Sequence, residues 1–283
     1  MLSIREQEIV RDISIGASVF SFVGCIFIIA CYTKFRDLRS FAFELVLCLS
    51  ISDLISSFVK LWGDAGNHGK VLCWLQAFLM AFGELASVLW AAALAFVLHM
   101  AFLRGDPAFG PSSIVQYRKK FHGAVWGTTL GLSLLPSFTG SYGDIGEWCW
   151  ILSTRSIDTA WRFMQFYIIM WVAVGYCIFV YFSVRKKMKE SAGSELATRI
   201  MYYPLVLAII WLPGSIGVFW KMVGGSNHLS NKILVAFCSG IFGFANAVVY
   251  GLTPVVRTRV KEVLGLASGG EDNGLLEPGT GSE

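Results

Sequence analysis

Asn246-Ala-Val-Val-Tyr250 places polar side chains near one end of an apolar stretch, residues 232–253. Six more apolar windows precede it, and each is close to the ~20 residues that a helix needs to cross ~30 Å of hydrocarbon. They cover residues 13–32, 41–62, 72–101, 121–138, 161–183 and 200–220. We therefore predict an all-α membrane protein, a seven-transmembrane helix bundle.

The composition excludes a soluble protein, because 55% hydrophobic against 15% charged residues cannot form an apolar core with a solvated surface. The bilayer is the expected environment, and no nucleic-acid partner is expected. We predict an extracellular N-terminus at 1–12 and a single membrane domain at 13–254. An amphipathic membrane-surface helix follows at 255–265, with Val256, Val260 and Val263 on one face. Residues 266–283 are Gly-rich and acidic, which predicts a disordered cytoplasmic tail.

The loops predict the orientation, because Lys and Arg near span ends prefer the cytoplasmic side. Segments 33–40, 104–120, 184–199 and 254–283 hold 15 of the 23 cations. We expect a multi-pass protein of the plasma membrane with its N-terminus extracellular and its C-terminus cytoplasmic. The fourth window is diluted by three spaced glycines, which predict a tight helix–helix seam. They are Gly123, Gly127 and Gly131.

Two of the seven cysteines differ from the rest. Five lie inside apolar windows, where a free thiol behaves as a small hydrophobe. Cys73 and Cys149 are both expected on the outer side, in an oxidising compartment. A bridge between them would pin the loop 139–160 over the mouth of the bundle, whereas two unpaired thiols are the alternative.

Two acids, Asp53 and Glu84, lie deep in predicted spans, where ionisable residues are costly enough to suggest function. Asn246 is a plausible partner for Asp53, and Ser50 is expected to help solvate its carboxylate or a bound monovalent cation. The alternative is that Asp53 only stabilises helix packing. Glu84 follows Cys73 by eleven residues, roughly 16 Å along a helix, which predicts the floor of an outward-facing pocket.

The sixth window contains Trp211-Leu-Pro213-Gly214. Proline removes a backbone hydrogen bond and kinks a helix, so the two halves can swing relative to each other. A purely structural kink is the alternative. Together with Asp53, Asn246 and Tyr250, Trp211 and Pro213 form a candidate activation switch.

Several blocks of sequence resemble a G-protein-coupled receptor of the cyclic AMP receptor-like class, known from slime moulds and related plant receptors. The blocks are Leu38-Arg-Ser-Phe41, Leu49-Ser-Ile-Ser-Asp-Leu54, Cys73-Trp-Leu-Gln-Ala-Phe78, Glu84-Leu-Ala-Ser-Val-Leu-Trp90, Glu147-Trp-Cys-Trp150, Trp161-Arg-Phe163 and Gly243-Phe-Ala-Asn-Ala-Val-Val-Tyr-Gly251. The resemblance implies a Cys73–Cys149 bridge, a ligand in the outer half and a heterotrimeric G protein at the inner face.

The sequence departs from rhodopsin-like receptors at two places. The third span ends Val97-Leu-His-Met-Ala-Phe-Leu-Arg104, without an acidic-Arg-aromatic triplet, and Ala247 stands where that larger class carries proline. The inner ionic lock of that class therefore does not transfer to this chain. His99 and Arg104 are the candidates for restraining the resting state.

Cations and tryptophans near the predicted outer rim are candidates for binding a small anionic ligand with a flat ring, such as cyclic AMP. These are Lys60, Arg162, Lys221, Trp150 and Trp161, above Glu84. The alternatives are that the lysines extend to the surface, that Arg162 pairs with Asp158, and that the tryptophans form an interfacial belt.

A second group of cations lies at the predicted inner ends of the third, fifth and sixth spans, where a G protein would bind. They are Arg104, Arg185, Lys186, Lys187, Lys189 and Arg199. The alternative is that this basic run only sets orientation and attracts anionic lipid.

Other functional classes receive less support. A transporter or channel for small solutes remains the main alternative, although no internal repeat or polar pathway is visible. An opsin needs a Schiff-base lysine in the seventh span, and Lys232 lies only at its outer edge. The four histidines lie in separate segments without metal spacing, so neither an enzyme nor a cofactor is expected.

Overall fold

The protein is described by a computed structural model that covers residues 3–106, 114–190, 202, 205–212, 216 and 229–264. Four predictions lie outside this part of the chain: those for Arg199, Pro213 and Lys221, and that for the tail from 266 onward. The side chain of Lys189 also falls outside it.

The described chain is almost entirely helical. Its helices are α1 (Ile4–Lys34), α2 (Phe41–Lys60), α3 (Lys70–Leu98, continued by a π-helical segment His99–Arg104), α4 (Arg118–Phe138), α5 (Ser156–Trp161, a π-helical segment Arg162–Tyr167, and Ile168–Glu190), α6 (residues 205–212), α7 (Leu229–Gly251) and α8 (Pro254–Val263). Short 3₁₀ turns lie at Arg36–Leu38, Ala65–His68 and Ile114–Tyr117.

Five of the described helices are long and apolar enough to cross a bilayer. They are Ile4–Lys34, Phe41–Lys60, Lys70–Arg104, Ser156–Lys187 and Leu229–Gly251. The 21-residue α4 is long enough but less apolar, as its glycines suggest. The seven-helix fold class predicted from the sequence is confirmed.

The first helix begins earlier than its apolar window. Ser3 caps it: the Ser3 hydroxyl accepts a hydrogen bond from the Glu6 amide at 3.3 Å, and the Ser3 amide donates to the Glu6 carboxylate at 2.8 Å. This reciprocal pair is a capping box, which satisfies amides that the first helical turn leaves open. Residues 4–12, assigned by the sequence to a separate N-terminus, therefore continue α1 as polar turns.

The tightest helix–helix seam joins α1 to α7. A Cβ atom on Gly243 would lie 2.5 Å from Ser21 Oγ and 2.6 Å from Cys25 Sγ, and one on Gly240 would lie 2.7 Å from the Cβ of Ala17. Small residues let helix backbones approach closely in a bilayer, where packing rather than hydrophobic burial drives association. Glycine is therefore required at these two positions of α7.

The glycines of α4 do not form the predicted seam. A Cβ atom on Gly123, Gly127 or Gly131 would meet no described atom within 4 Å. The helix packs instead through Val125, Thr129 and Ser133, which are buried. Residues two positions apart lie about 200° apart around a helix, so the glycines occupy the opposite face. The seam prediction is wrong because a small-residue spacing does not tell which face meets a neighbour.

A short hairpin covers one end of the bundle. Strands β1 (Tyr142–Asp144) and β2 (Cys149–Ile151) are antiparallel, with Tyr142 opposite Ile151 and Asp144 opposite Cys149. We call this the disulfide end, because β2 carries Cys149. The opposite end, where α8 lies, we call the tail end.

The predicted amphipathic helix is present as α8. Val256 on its apolar side is fully buried, and Arg259 on its polar side donates a hydrogen bond of 2.8 Å to Asp37. The Arg259 guanidinium holds the pKa of the Asp37 carboxyl below its usual value. This contact joins α8 to the turn between α1 and α2.

Candidate functional site

The predicted disulfide is confirmed: Cys73 at the start of α3 is bonded to Cys149 in β2, across 76 residues of sequence. A second tie reinforces it. Gln76, one turn further along α3, is fully buried and accepts a 2.8 Å hydrogen bond from the Cys149 amide. Its side-chain nitrogen donates to the carbonyls of Val59 at 3.0 Å and Gly63 at 2.9 Å. Gln76 thus joins α3, the end of α2 and the hairpin.

Arg162 lies beneath the hairpin, at the start of the π-helical segment of α5. Its guanidinium donates to the carbonyl oxygen of Ile151 through two nitrogens and lies 5.1 Å from the ring centre of Trp150. It does not take the suggested partner Asp158, because Asp158 accepts hydrogen bonds from Arg155. The described contacts of Arg162 are a carbonyl and an aromatic face, which leave its charge without a carboxylate.

An aromatic chain leads inward from Arg162. Trp150 meets Phe166 edge to face at 5.6 Å, and Phe166 meets Trp211 at 5.0 Å. Trp161 is directed elsewhere, since its indole nitrogen donates to Thr139 Oγ1 at 2.9 Å in the turn after α4. Of the two candidate tryptophans, Trp150 is the one that contacts Arg162.

Lys60 and Glu84 form a buried ion pair of 2.9 Å, with side chains 2% and 9% exposed. Lys60 also donates to the Ser239 carbonyl of α7 at 3.2 Å. The alternative interpretation, that Lys60 extends to the surface, is wrong because its side chain is buried. A role of Lys60 in ligand binding stays a prediction. The Cα–Cβ bonds of a helix tilt toward its N-terminus, so Lys60, the last residue of α2, points back into the bundle.

Asp53 is the polar centre of the bundle. It is 2% exposed and accepts hydrogen bonds from Ser87 of α3 and, at 2.8 Å, from Asn246 of α7. The contact with Asn246 matches the partner suggested by the sequence. Ser50 does not help, because its hydroxyl donates to the Val46 carbonyl at 2.8 Å. Ser87 was not predicted from the sequence. The signal that could have indicated it is its position three residues after Glu84.

Tyr250 lies one turn beyond Asn246 on α7 and is fully buried. Its ring meets Phe43 at 5.5 Å and Phe27 at 6.4 Å, both edge to face. The Asp53 and Tyr250 contacts together tie α7 to α1, α2 and α3.

A further ion pair connects the hairpin loop to α7. The Lys232 ammonium donates to the carboxylate of Glu147, which is 2% exposed as a residue. Lys232 is therefore engaged at the disulfide end, next to the hairpin.

The tail end carries the cations predicted to meet a G protein. Arg104, Arg185, Lys186 and Lys187 are exposed. Lys187 donates to the Leu103 carbonyl at 3.2 Å, and Arg185 donates to the Tyr181 hydroxyl at 3.2 Å. All four cations stay exposed, and the Lys187–Leu103 contact also links α5 to α3.

Polar contacts at the tail end also join α3 to α5 and α2 to α4. His99 Nδ1 and the Tyr176 hydroxyl are 2.9 Å apart, which links α3 to α5. Glu44 of α2 accepts from Arg118 at 2.7 Å and contacts His122 at 3.0 Å, both on α4. His99, one of the two candidates for restraining the resting state, is therefore placed between two helices.

Polar groups lie from the disulfide end to the centre: the part-buried Arg162, the buried Lys60–Glu84 pair, and the buried Asp53 with its two donors. Such an arrangement can bind a charged ligand and can transmit a movement of one helix to its neighbours. Within the ranges that the structure covers, no three or more His, Cys, Asp or Glu side chains are grouped to hold a metal ion.

Sequence comparison places this chain in a family. The family described as slime mold cyclic AMP receptor matches residues 1–254. A G-protein coupled receptor 1 of Arabidopsis thaliana is 30% identical over 94% of this chain and 84% of its own length. The chain belongs to the slime mold cyclic AMP receptor family of G-protein-coupled receptors.

Two relatives from Dictyostelium discoideum are more distant. Cyclic AMP receptor-like protein A is 25% identical over 88% of this chain, and cyclic AMP receptor 4 is 24% identical over 88%. The matches span 66% and 58% of those two proteins. Squid rhodopsin superposes with a TM-score of 0.73 at 14% identity, over 94% of this chain and 87% of the rhodopsin chain, which shows a shared fold.

Proposed function

We propose that the protein is a plasma-membrane receptor that transmits an extracellular small-molecule signal to a heterotrimeric G protein. In this proposal the N-terminus and the disulfide end are extracellular, and the tail end and C-terminus are cytoplasmic. The 15 cations in the segments 33–40, 104–120, 184–199 and 254–283 support this orientation.

The observation that carries the proposal is the set of buried polar contacts between helices. Lys60–Glu84 and Asp53–Asn246 both connect the same three helices, α2, α3 and α7, at two depths. A displacement at the upper contact would change the geometry of the lower one, because both involve the same helices. Buried ionisable groups are costly in a membrane and are retained mainly for function.

The ligand site in this proposal lies at the disulfide end, with Arg162 and Trp150 as the upper contacts and the Lys60–Glu84 pair below. A small anionic ligand with a flat ring fits a cation stacked on an aromatic face. The names of the slime-mould relatives agree with cyclic AMP as a first test ligand. Trp161 is a weaker candidate, since it bonds to Thr139, and Lys221, which lies outside the described residues, stays a candidate.

The activation switch in this proposal comprises Asp53, Asn246 and Tyr250 with Trp211 and Pro213. Trp211 contacts Phe166, which contacts Trp150, so a ligand at Trp150 would bias the α6 segment through aromatic packing. Asp53 could exchange its hydrogen bonds for a monovalent cation, as its buried carboxylate oxygens would suit one.

The G-protein contact in this proposal is the tail end between α3, α5 and α6. Its cations are Arg104, Arg185, Lys186 and Lys187, with Lys189 and Arg199 as further candidates. Opening would require the His99–Tyr176 and Lys187–Leu103 contacts to break, since both cross from α5 to α3.

Guanine-nucleotide exchange tests the proposal. The full chain in lipid nanodiscs, mixed with a panel of heterotrimeric G proteins, should accelerate exchange when cyclic AMP or another small anion is added. Arg162→Ala and Glu84→Gln should each change ligand potency at normal surface expression. Solute flux through liposomes in the absence of any G protein would instead favour the transporter or channel alternative.

A further inference from the structure

The Lys60 ammonium is an anion-binding group that already has an occupant. Glu84 holds it at 2.9 Å, and the Ser239 carbonyl fixes its direction at 3.2 Å. An ammonium has three donors, so these two contacts orient it without using all of them. The carboxylate partner sits on a different helix from the carbonyl, so one can leave while the other stays.

Among the described charges near this pair, Arg162 forms no salt bridge, although Glu147 and Asp158 act on it at longer range. Lys60 and Glu84 cancel, and Lys232 and Glu147 cancel. Arg162 contacts a carbonyl and an indole ring, neither of which bears a negative charge. A single negative charge entering between these groups would bring the cluster to neutrality, which a buried site strongly favours.

The displaced carboxylate would have a cation to approach. Tyr167 of α5 lies within electrostatic range of both Arg162 and Glu84. Glu84 also keeps a few per cent of its side chain accessible, whereas Lys60 is almost fully enclosed. The carboxylate is thus the more accessible member of the pair.

We propose that Glu84 is an internal stand-in for the ligand: its carboxylate occupies the anion subsite at Lys60, and an incoming carboxylate or phosphate ester takes its place. The displaced Glu84 turns toward Arg162, and Lys60 keeps its bond to Ser239. This inference rests on the proposed function, because it takes the bound anion to be the ligand of the receptor. The anion subsite itself can be tested by a binding measurement alone.

A tethered competitor weakens the apparent affinity by the fraction of time that it leaves the site free. Replacing Glu84 by a neutral residue should therefore raise the affinity for an anionic ligand, even though Glu84 lies in the ligand site. An ordinary ligand contact or a purely structural ion pair predicts the reverse, because either would lose a favourable interaction. The sign of the change separates the two cases.

The experiment measures equilibrium binding of labelled cyclic AMP, the anionic probe, to the full chain in nanodiscs without G protein. Glu84→Gln should bind at least about tenfold more tightly than the unmodified chain. Lys60→Met should bind at least about tenfold more weakly, and the double variant should resemble Lys60→Met. Adenosine, which has the same ring without the charge, should gain no affinity from Glu84→Gln.

Glu44→Gln is the matched control, because Glu44 is also a paired, mostly buried carboxylate but lies at the tail end with Arg118 and His122. It should leave the affinity for cyclic AMP within about twofold. Glu84→Met serves as a second neutral variant, with melting temperature and size-exclusion profile reporting folding.

Equal or weaker binding by the neutral Glu84 variants overturns the inference. So does the absence of saturable binding by Glu84→Gln, whatever the unmodified chain does, and so does a failure of both neutral variants to fold. Tighter binding without nucleotide exchange on any G protein would leave the anion subsite standing and remove the proposed function.

Discussion

The two ends of the bundle are joined by different kinds of contact. At the disulfide end, a covalent bridge, the fully buried Gln76 and the Glu147–Lys232 pair hold the hairpin on the helices. At the tail end, the described polar links include a single hydrogen bond, His99–Tyr176, and part-exposed ion pairs such as Arg259–Asp37, beside buried aromatic contacts such as Tyr250–Phe43. One end is closed by a covalent bond, whereas the polar links at the other are noncovalent and individually weak.

Loss of the bridge should have the largest effect. Cys149→Ser frees a loop of 76 residues and should lower the free energy of unfolding by about 2–5 kcal/mol. Surface expression should fall when measured on intact cells, and the melting temperature should fall in detergent extracts. Cys238→Ser, a free cysteine in α7, is the control and should change neither quantity appreciably. Native protein in which both Cys73 and Cys149 react with an alkylating reagent would contradict the assignment.

Gln76→Met should come next. It removes three hydrogen bonds and leaves buried backbone groups without partners, which costs about 1–3 kcal/mol for each group not reached by water. Hydrogen exchange at the Cys149 amide should become faster although the disulfide stays intact. Gln76→Glu keeps the acceptor for that amide and loses the donor to Val59 and Gly63, so it should protect the Cys149 amide better than Gln76→Met does. Equal protection in both variants would show that the bridge alone seats the hairpin.

Tyr176→Phe should affect stability little and signalling more. Losing one hydrogen bond between α3 and α5 costs about 0.5–1.5 kcal/mol. Under the proposed function, this loss favours the open tail end and should raise nucleotide exchange in the absence of ligand. Tyr181→Phe is the matched control, since its hydroxyl contacts Arg185 on the same helix. Basal exchange that rises equally in both variants would remove the special role of the α3–α5 contact.

Arg259→Ala should give the smallest effect, because both members of the Arg259–Asp37 pair are about 40% exposed. Such pairs contribute less than about 1 kcal/mol. The folded-state pKa of Asp37 is lowered by its hydrogen bond to Arg259, so the stabilisation is present above the unfolded pKa, near 4, and is lost as pH falls through the lower folded value. Melting temperatures of the two proteins should differ slightly at pH 7, and the difference should shrink as the pH falls below the unfolded pKa of Asp37. A difference that does not change with pH would assign the effect to packing of α8.

Hydropathy predicted the described helical spans and side-chain spacing predicted α8, because each depends on local composition. Cysteine placement left a Cys73–Cys149 bridge and two free thiols as alternatives, and the family resemblance favoured the bridge. The contact of Asp53 with Asn246 was suggested because two polar residues inside apolar spans need partners. The pairing of Lys60 with Glu84 was not predicted. It depends on how α2 and α3 are rotated against each other, and a single sequence does not contain that information.

The glycine seam was predicted on the wrong helix for the same reason. Gly123, Gly127 and Gly131 have the spacing of a seam but face away from the helix that α4 packs against. Gly240 and Gly243 have a less regular spacing and lie where α1 and α7 leave no room for a side chain. Spacing shows which residues share a face, and only the packed structure shows what that face meets.

The α1–α7 seam also bears on how the chain is made. Its two halves, around Ala17 and Gly240, are separated by more than 200 residues, so α1 enters the membrane long before its partner exists. At about 5–20 residues per second, synthesis leaves α1 without α7 for roughly 10–45 s. During that interval, the small polar face of α1 that includes Ser14, Ser18 and Ser21 has to be covered by lipid, by the insertion machinery or by a chaperone. Closure of the bundle is therefore one of the last steps of its biosynthesis, and a chain that stops before α7 exposes a face that quality control can recognise.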